Sequence, residues 1–337
     1  MSTATTTTAI ASLQPGEVDS PDAFAEIELP LPPLPASDLL VEVKAVSVNP
    51  VDYKLRQSFD PGDGPKVLGF DAAGIVREVG AGVSGFGVGD EVYYSGSSLT
   101  RPGTNSRLQQ VESRVAAHKP SGLDFAEAAA LPLTAMTAWE CLFDRLGLDA
   151  DSDGTLLVVG GAGGVGSMIT QLARARTSVT VIATAGRPES AQWAREMGAH
   201  HVVGRDDLVA AVRAVAPDGV DYVFSANSEG NVEAYAELLP VHGAVVAIDD
   251  PAGLDLMPLK PKSQSWLWEF LYSRPVEDPA DDHHAVMLRA ITELVDAGLV
   301  RSTMTTRLGP LDVDTLREAH RRIESGSVIG KVVIGLE

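Results

Sequence analysis

Apolar residues fall in two textures along the chain, and the change between them predicts two kinds of structure. Residues 39–48 alternate apolar and polar positions like a half-buried strand. Further short runs of this kind follow between Gly and Pro turns as far as about residue 125. Pro30, Pro32, Pro33 and Pro35 make the approach to the first of them extended. From Asp124, a fitting N-cap, residues 124–130 read as helix. Strand and helix patterns then alternate to about residue 250, with 221–225 and 243–248 expected as buried strands of a parallel sheet. Beyond a proline-rich connection, amphipathic helices are expected near 285–298 and 314–326, followed by a final strand at 330–335. The economical architecture is α/β, a β-rich domain split in sequence around a doubly wound parallel-sheet domain.

The most specific signal lies at 156–166. The apolar run Leu156, Leu157, Val158, Val159 leads into a glycine turn and then a helical pattern. Gly161, Gly163 and Gly166 carry the spacing G-x-G-x-x-G. The first permits a tight turn, the second lets the backbone approach a pyrophosphate, and the third lets helix and strand pack closely. The helix start adds free N–H groups and a positive dipole end. Gly161, Ala162, Gly163, Gly164, Val165 and Gly166 are therefore expected to bind a dinucleotide. The same spacing at Gly80, Gly82 and Gly85 is followed by turn and strand residues, so it reads as a β-loop.

The next strand, 178–184, leads into Ala185, Gly186 and Arg187, and no Asp or Glu occurs between Gly161 and Glu189. An acid there would take the ribose 2′-hydroxyl of NAD. Thr184 and Arg187 suit the 2′-phosphate of NADPH instead, because a guanidinium grips phosphate with two N–H groups. A solvated loop arginine is the alternative for Arg187.

Composition matters here for what it excludes. With 26 basic and 46 acidic residues the net charge is −20, which repels nucleic acid and anionic membranes overall, so neither is an expected partner. A single cysteine, Cys141, forbids an intrachain disulfide. Residues 1–8 have neither the basic stretch nor the apolar core of a secretory leader. No uninterrupted apolar run approaches the roughly 18 residues of a membrane span. A cytoplasmic protein is expected.

With these pieces in place the chain resembles the medium-chain dehydrogenase/reductase superfamily along nearly its whole length. The residues that carry the resemblance are Asn49-Pro50-Val51-Asp52, Gly69-Phe70-Asp71-Ala72-Ala73-Gly74, Val79-Gly80-Ala81-Gly82, Val88-Gly89-Asp90-Glu91-Val92, Ala129-Ala130-Leu131-Pro132-Leu133-Thr134 and the glycine turn, in the family's order. Arg101-Pro102-Gly103-Thr104-Asn105, Leu142-Phe143-Asp144-Arg145 and Trp268-Glu269-Phe270 resemble its quinone oxidoreductase-like branch, in a subset often labelled zinc-binding alcohol dehydrogenase. The resemblance implies a GroES-like β-rich catalytic domain over 1–127 and 273–337, a Rossmann NADPH-binding domain over 128–272, and a homodimer.

The zinc label meets a chemical objection. Catalytic zinc takes Cys, His or carboxylate ligands. Zinc-dependent relatives carry a Cys where this chain has Asn49 and a His where it has Phe70, and the third ligand would fall near Leu133 or Thr134. One cysteine cannot build a four-cysteine structural lobe. His200 and His201 would point to opposite faces of a strand, and His283 and His284 diverge as helix neighbours. No metal is expected. Without a Lewis acid on the substrate oxygen, conjugate reduction is favoured, because its charge spreads into an enolate or hydroquinone anion. The resemblance implies reduction of quinones, enones or enoyl thioesters with NADPH.

Three residues are candidates for the chemistry: Asn49, Lys54 and Lys331. Asn49 belongs on the floor of the active site, binding nicotinamide or a substrate oxygen, or else it merely forms the turn before Pro50. Asp52 reads equally as a structural acceptor or a participant. Lys54 either stabilises a developing oxyanion or is a solvated lysine. The resemblance places Thr137 near the nicotinamide and Lys331 at the cofactor cleft. Their alternatives are a threonine bonded to its own helix and a surface strand-end lysine. Ser225 and Ile248 are also expected at the cofactor. Trp266, Trp268, Phe270 and Tyr272 read either as substrate and subunit contacts or as interdomain packing. The function expected is a zinc-independent, NADPH-dependent oxidoreductase acting on a quinone or α,β-unsaturated carbonyl compound. The alternatives are a carbonyl or alcohol oxidoreductase of secondary metabolism and a non-catalytic NADPH-binding sensor or crystallin-like protein.

Overall fold

The structure is a computed structural model that describes residues 6–96 and 99–336. Residues 1–5, part of the stretch without leader character, lie outside the described residues. The chain forms two compact units, one of residues 1–133 with 274–337 and one of residues 134–273.

The first unit is built around strand Asp38–Val48, which pairs antiparallel with Asp71–Val79, Leu108–Glu112 and Lys331–Gly335. Burial alternates along its first half, with Leu39, Val41 and Val43 in the core. From Ala45 to Val48 burial is continuous, because helices Phe125–Ala129 and Val313–Glu324 pack against this strand. Register then determines which polar side chains meet. Val48 lies opposite Val332, and Ser47 lies opposite both Val333 and Asp71. The ends of three strands remote in sequence thus gather Ser47, Asn49, Asp71 and Lys331. A smaller sheet joins Thr6–Ser12 to Ala25–Pro30 and Lys66–Val67.

Gly80 ends strand Asp71–Val79 and the next strand is Glu91–Ser95, with no helix between. A Cβ on Gly80 would stand 2.4 Å from the Pro35 carbonyl oxygen. Gly80 thus answers a packing demand, and Gly85 a backbone turn with φ +84°, so the spacing needs no phosphate.

The second unit holds six parallel strands in the spatial order His201–Val203, Thr180–Thr184, Thr155–Val159, Tyr222–Ser225, Ala244–Ala247, Ser265–Trp268. This is the doubly wound order in which the chain winds outward both ways from a central strand. Such sheets bind ligands at the carboxyl ends of the strands where the winding reverses, here beside Thr155–Val159. The continuously apolar strands are buried on both faces, as that topology requires.

Several details differ from the sequence expectation. The first unit runs on to Leu133 because helix Phe125–Ala129 packs on its central strands. The late helices are His283–Asp296 and Val313–Glu324, each starting earlier than the apolar periodicity marked. His200 precedes strand His201–Val203 instead of sharing it, since its Nδ1 accepts a hydrogen bond from Val181 N at 2.8 Å. Helix Pro132–Trp139 continues as a π-helix, Glu140–Arg145, which no apolar period announced. Among the described residues no helix is long and apolar enough to cross a membrane.

Candidate active site

In the second unit, strand Thr155–Val159 runs through the glycine turn into helix Gly164–Arg176, with Gly163 as its N-cap residue. The glycines have different reasons to be there. A Cβ on Gly161 would meet the Ala183 Cβ at 2.6 Å, and one on Gly166 would meet the Gly160 oxygen at 2.3 Å. Gly161 is demanded by the neighbouring strand Thr180–Thr184, and Gly166 by the close approach of the helix to the turn's own backbone. Gly163 is not: its φ is −73° and a Cβ there would sit 3.5 Å from the Gly160 oxygen, ordinary contact. Ala162 is buried, and Gly164 and Val165 open the helix.

Thr184 ends the neighbouring strand and is buried, its Oγ1 accepting a hydrogen bond from Gly160 N at 3.0 Å. It braces the glycine turn. Arg187 is exposed at the start of helix Pro188–Glu196. A second guanidinium, Arg205, lies beside the same stretch, because a Cβ on Gly186 would meet it at 2.8 Å. Parallel pairing of Thr184 with Val203 sets this up, carrying the residues after each strand to the same edge. Sequence reasoning missed Arg205; the signal was a basic residue two positions past the strand that neighbours the one ending at Thr184.

Ser225 is fully buried, with its hydroxyl 3.0 Å from Ser228 Oγ and 2.9 Å from Tyr235 Oη. Ser228 in turn donates from N and Oγ to the Asp249 carboxylate, both at 2.6 Å. This network fixes the loop beyond the strand. Ile248 is half-buried, its N–H donating to Ser225 O at 3.1 Å. Thr137 is buried on helix Pro132–Trp139, and among the described residues its hydroxyl bonds to no backbone carbonyl, contrary to the helix-bonded alternative. Trp266 and Trp268 lie on the outer strand Ser265–Trp268, ring centroids 5.6 Å apart; Trp268 and Phe270 are exposed and Tyr272 is buried.

In the first unit the gathered strand ends form a buried polar cluster. Asp71 accepts from Ser47 Oγ at 2.9 Å, from Asn49 Nδ2 at 2.8 Å and from Leu133 N at 2.7 Å. Lys331 Nζ donates to Val48 O at 3.0 Å, to Asn49 Oδ1, and to Asp71 Oδ2 at 3.4 Å. An ammonium has three hydrogens, and each is directed at an internal acceptor. Lys331 is 3 % exposed, which overturns the surface strand-end alternative. The Lys331 contact also fixes the Asn49 amide, since only its oxygen can face a lysine, and among the described residues it leaves one of two amide hydrogens uncommitted. Burial pulls the Lys331 pKa down, opposed by the Asp71 and Asp52 charges.

Asn49 caps helix Pro50–Ser58, and its N–H donates to Asp52 Oδ2 at 2.8 Å. Asp52 Oδ1 accepts from Gly69 N at 3.0 Å. Asp52 therefore ties the helix to the Gly69 loop, and burial pushes its carboxyl up to about 7 against the pull of those N–H bonds and of Lys331. A Cβ on Gly69 would meet Thr104 Oγ1 at 2.4 Å, so the 101–105 segment is threaded against this loop. Lys54 is exposed on the same helix, and the structure does not bring it into the cluster. Two residues along a helix from Asp52 means roughly the opposite face.

The fold and these two sites can be set beside known proteins. Residues 35–137 match the model of the alcohol dehydrogenase GroES-like domain, and residues 197–334 match that of zinc-binding dehydrogenases. A zinc-type alcohol dehydrogenase-like protein of Staphylococcus epidermidis is 39 % identical over 95 % of this chain and 97 % of its own length. The chain belongs to the medium-chain dehydrogenase/reductase family.

As a medium-chain dehydrogenase/reductase it is an oxidoreductase. A putative zinc-dependent alcohol dehydrogenase of Rhizobium etli superposes with TM-score 0.94 at 44 % identity, covering 99 % of both chains. The NADPH-dependent alkenal/one oxidoreductase of Arabidopsis thaliana is 29 % identical over 92 % of this chain and 75 % of its own length.

The zinc in these names does not fit the residues present. Phe70 is fully buried and offers no donor atom, and the Asn49 amide is engaged by Asp71 and Lys331. The acceptors that would welcome a cation here already hold one, the Lys331 ammonium. Cys141 lies on the π-helix of the second unit, where burial keeps its thiol protonated well above the usual range.

Proposed function

We propose that this medium-chain dehydrogenase/reductase is a zinc-independent, NADPH-dependent reductase of quinones or α,β-unsaturated carbonyl compounds. The observation that carries this is the pair of guanidinium groups, Arg187 and Arg205, at the end of the strand beside a glycine turn whose Gly163 no internal packing demands. A glycine kept without an internal reason leaves room for a ligand's pyrophosphate. Two guanidiniums where NAD sites place an acid favour a 2′-phosphate. The family relationship supports a nicotinamide coenzyme, and the Arabidopsis relative is named for NADPH and for alkenal/one reduction.

The bound dihydronicotinamide supplies a hydride. The chain's own residues supply the rest. Conjugate addition puts the hydride on the β-carbon and moves the electron pair to the carbonyl oxygen; the α-carbon then takes a proton from water. The uncommitted N–H of Asn49 suits that oxygen, and among the described residues no metal ligand set stands beside it. In this scheme Lys331 is a positioning residue that acts through Asn49, and Thr137 contributes its hydroxyl on the coenzyme side. Lys54 is kept as a candidate for screening the developing charge. Ser225 and Thr184 shape the coenzyme site by bracing loops. The expected homodimer would use the open sheet edge with exposed Trp268 and Phe270, and light scattering checks it.

Deuteride transfer decides the reaction. With 4-deuterated NADPH and an alkyl vinyl ketone, the label is expected on the β-carbon of a saturated ketone, and benzoquinone is expected to give hydroquinone. Label found only on a carbinol carbon, with C=C bonds intact and quinone unreduced, would replace this proposal with a carbonyl reductase. Coenzyme binding with no turnover of any acceptor would replace it with a sensor.

A further inference from the structure

In the second unit, side chains from separate segments join into one hydrogen-bonded chain. Tyr235 comes from helix Val232–Leu238, Ser225 from the end of strand Tyr222–Ser225, Ser228 from the loop after it, and Asp249 from just past strand Ala244–Ala247. The direction of this chain follows from counting hydrogens, since each hydroxyl has one to give. Ser228 gives its hydrogen to Asp249 Oδ1 at 2.6 Å, so Ser225 is the donor in the 3.0 Å contact between the two serines. With its own hydrogen spent, Ser225 accepts from Tyr235 at 2.9 Å, and Tyr235 shares that hydrogen with Asn227 O at 3.1 Å. The hydroxyl dipoles thus line up toward the Asp249 carboxylate.

Ser225, Ser228 and Tyr235 are fully buried, whereas Asp249 is half-buried. Both donors that Ser228 offers it are neutral, and among the described residues Asp249 makes no ion pair. Oriented dipoles hold a negative charge in place without cancelling it. The carboxylate is therefore fixed at the edge of the sheet with its charge uncompensated.

Its location gives that charge an object. A doubly wound sheet of this order consists of two mononucleotide-binding halves, here on either side of the reversal beside Thr155–Val159. Arg187 and Arg205 lie past strands Thr180–Thr184 and His201–Val203, and assign that half to the 2′-phosphate in the function proposed above, on which this inference rests. The nicotinamide end then falls to the other half, whose strands end at Ser225 and Ala247. Loss of a hydride leaves the nicotinamide ring with a unit positive charge, so the two redox states of the coenzyme differ at this end by one charge.

We propose that Asp249 is a specificity-determining residue that makes the site favour NADP⁺ over NADPH, so that bound NADPH is the stronger hydride donor. The hydride and its electron pair go to the acceptor carbon, and the positive charge left behind is met by the carboxylate. Ser228, Ser225 and Tyr235 are positioning residues that act through Asp249.

Binding alone provides the test, with full-length protein and no acceptor present. Calorimetry gives the dissociation constants of NADP⁺ and NADPH for the parent and for each variant. Asp249→Asn is expected to weaken NADP⁺ relative to NADPH about tenfold, the order that one partly buried charge supplies. Asp249→Ala, in which water at the half-buried edge can meet the Ser228 donors, should shift the ratio the same way. Ser228→Ala keeps the charge and loosens the loop, so it should weaken both coenzymes alike and hold the ratio. A parent that binds neither coenzyme would remove the proposed function and this inference together. A parent that binds both, with its ratio kept in the Asp249 variants, overturns this inference and leaves the NADPH assignment standing. So does an equal shift from Asp250→Asn, exposed one position on, because general charge and not this carboxylate would then set the ratio.

Discussion

Lys331 Nζ lies 3.4 Å from Asp71 Oδ2, a buried ion pair between residues 260 positions apart. Its value lies less in attraction than in what its loss would leave behind. Removing one partner of a buried pair strands the other charge, at a cost of about 3–5 kcal/mol. Lys331→Met should lose stability of that order in urea unfolding, and adding Asp71→Asn should recover part of it. A Lys331→Met midpoint like the parent's would show that the Asp71 carboxylate is satisfied without the ammonium.

Glycine substitutions separate packing from ligand binding. Gly166→Ala should destabilise the protein strongly, since its Cβ would stand 2.3 Å from the Gly160 oxygen. Gly163→Ala has room and a negative φ, and should leave the melting temperature unchanged or slightly raised. It should nonetheless weaken NADPH binding measured by fluorescence titration. Equal damage to stability from both changes would remove the argument that Gly163 is kept for a ligand.

Coenzyme choice rests on two arginines. Arg187→Ala and Arg205→Ala should each weaken NADPH binding by roughly 1.5–3 kcal/mol, the range for hydrogen bonds to charged groups. NADH binding should barely change. If both coenzymes lose alike, these side chains serve the protein and not the 2′-phosphate.

Acid lability should trace to His320. The imidazole is buried against Phe24, centroids 4.9 Å apart, with neither ring nitrogen hydrogen-bonded. Burial first, and the Arg56 charge second, hold its pKa down at about 3. The unfolded chain binds that proton near pH 6.5, so stability is intact above about 6.5 and falls as pH drops toward 3, by up to about 1.4 kcal/mol per pH unit. His320→Leu should flatten that limb of the pH–stability curve. A curve that keeps its slope would assign the acid limb to other groups.

The sequence carried the parallel sheet and the glycine turn because both write themselves locally, one in continuous apolar runs and the other in fixed spacing. It was silent where the cause is register. Nothing near Lys331 announces Asn49 or Asp71; only the pairing of Val332 with Val48 does. Arg205 escaped for the same reason, as its neighbour Gly186 is reached through Thr184 opposite Val203. Thr184 and Ser225 were rightly placed at strand ends, but their hydroxyls turned out to hold the protein's own loops. The π-helix was invisible because an apolar stripe with a 3.6-residue period has no signature for one wide turn.

The split of the first unit sets an order of assembly. Residues 134–273 are contiguous and can close as soon as they have been synthesised. The other unit cannot: the Ala45–Val48 end of strand Asp38–Val48 waits with one edge unpaired until Lys331–Gly335 emerges nearly three hundred residues later. Through that interval Asp71 has no lysine, and an open edge invites pairing with other chains. A nascent chain halted just short of residue 331 should therefore carry a finished nucleotide-fold unit beside a half-built sheet in need of a chaperone.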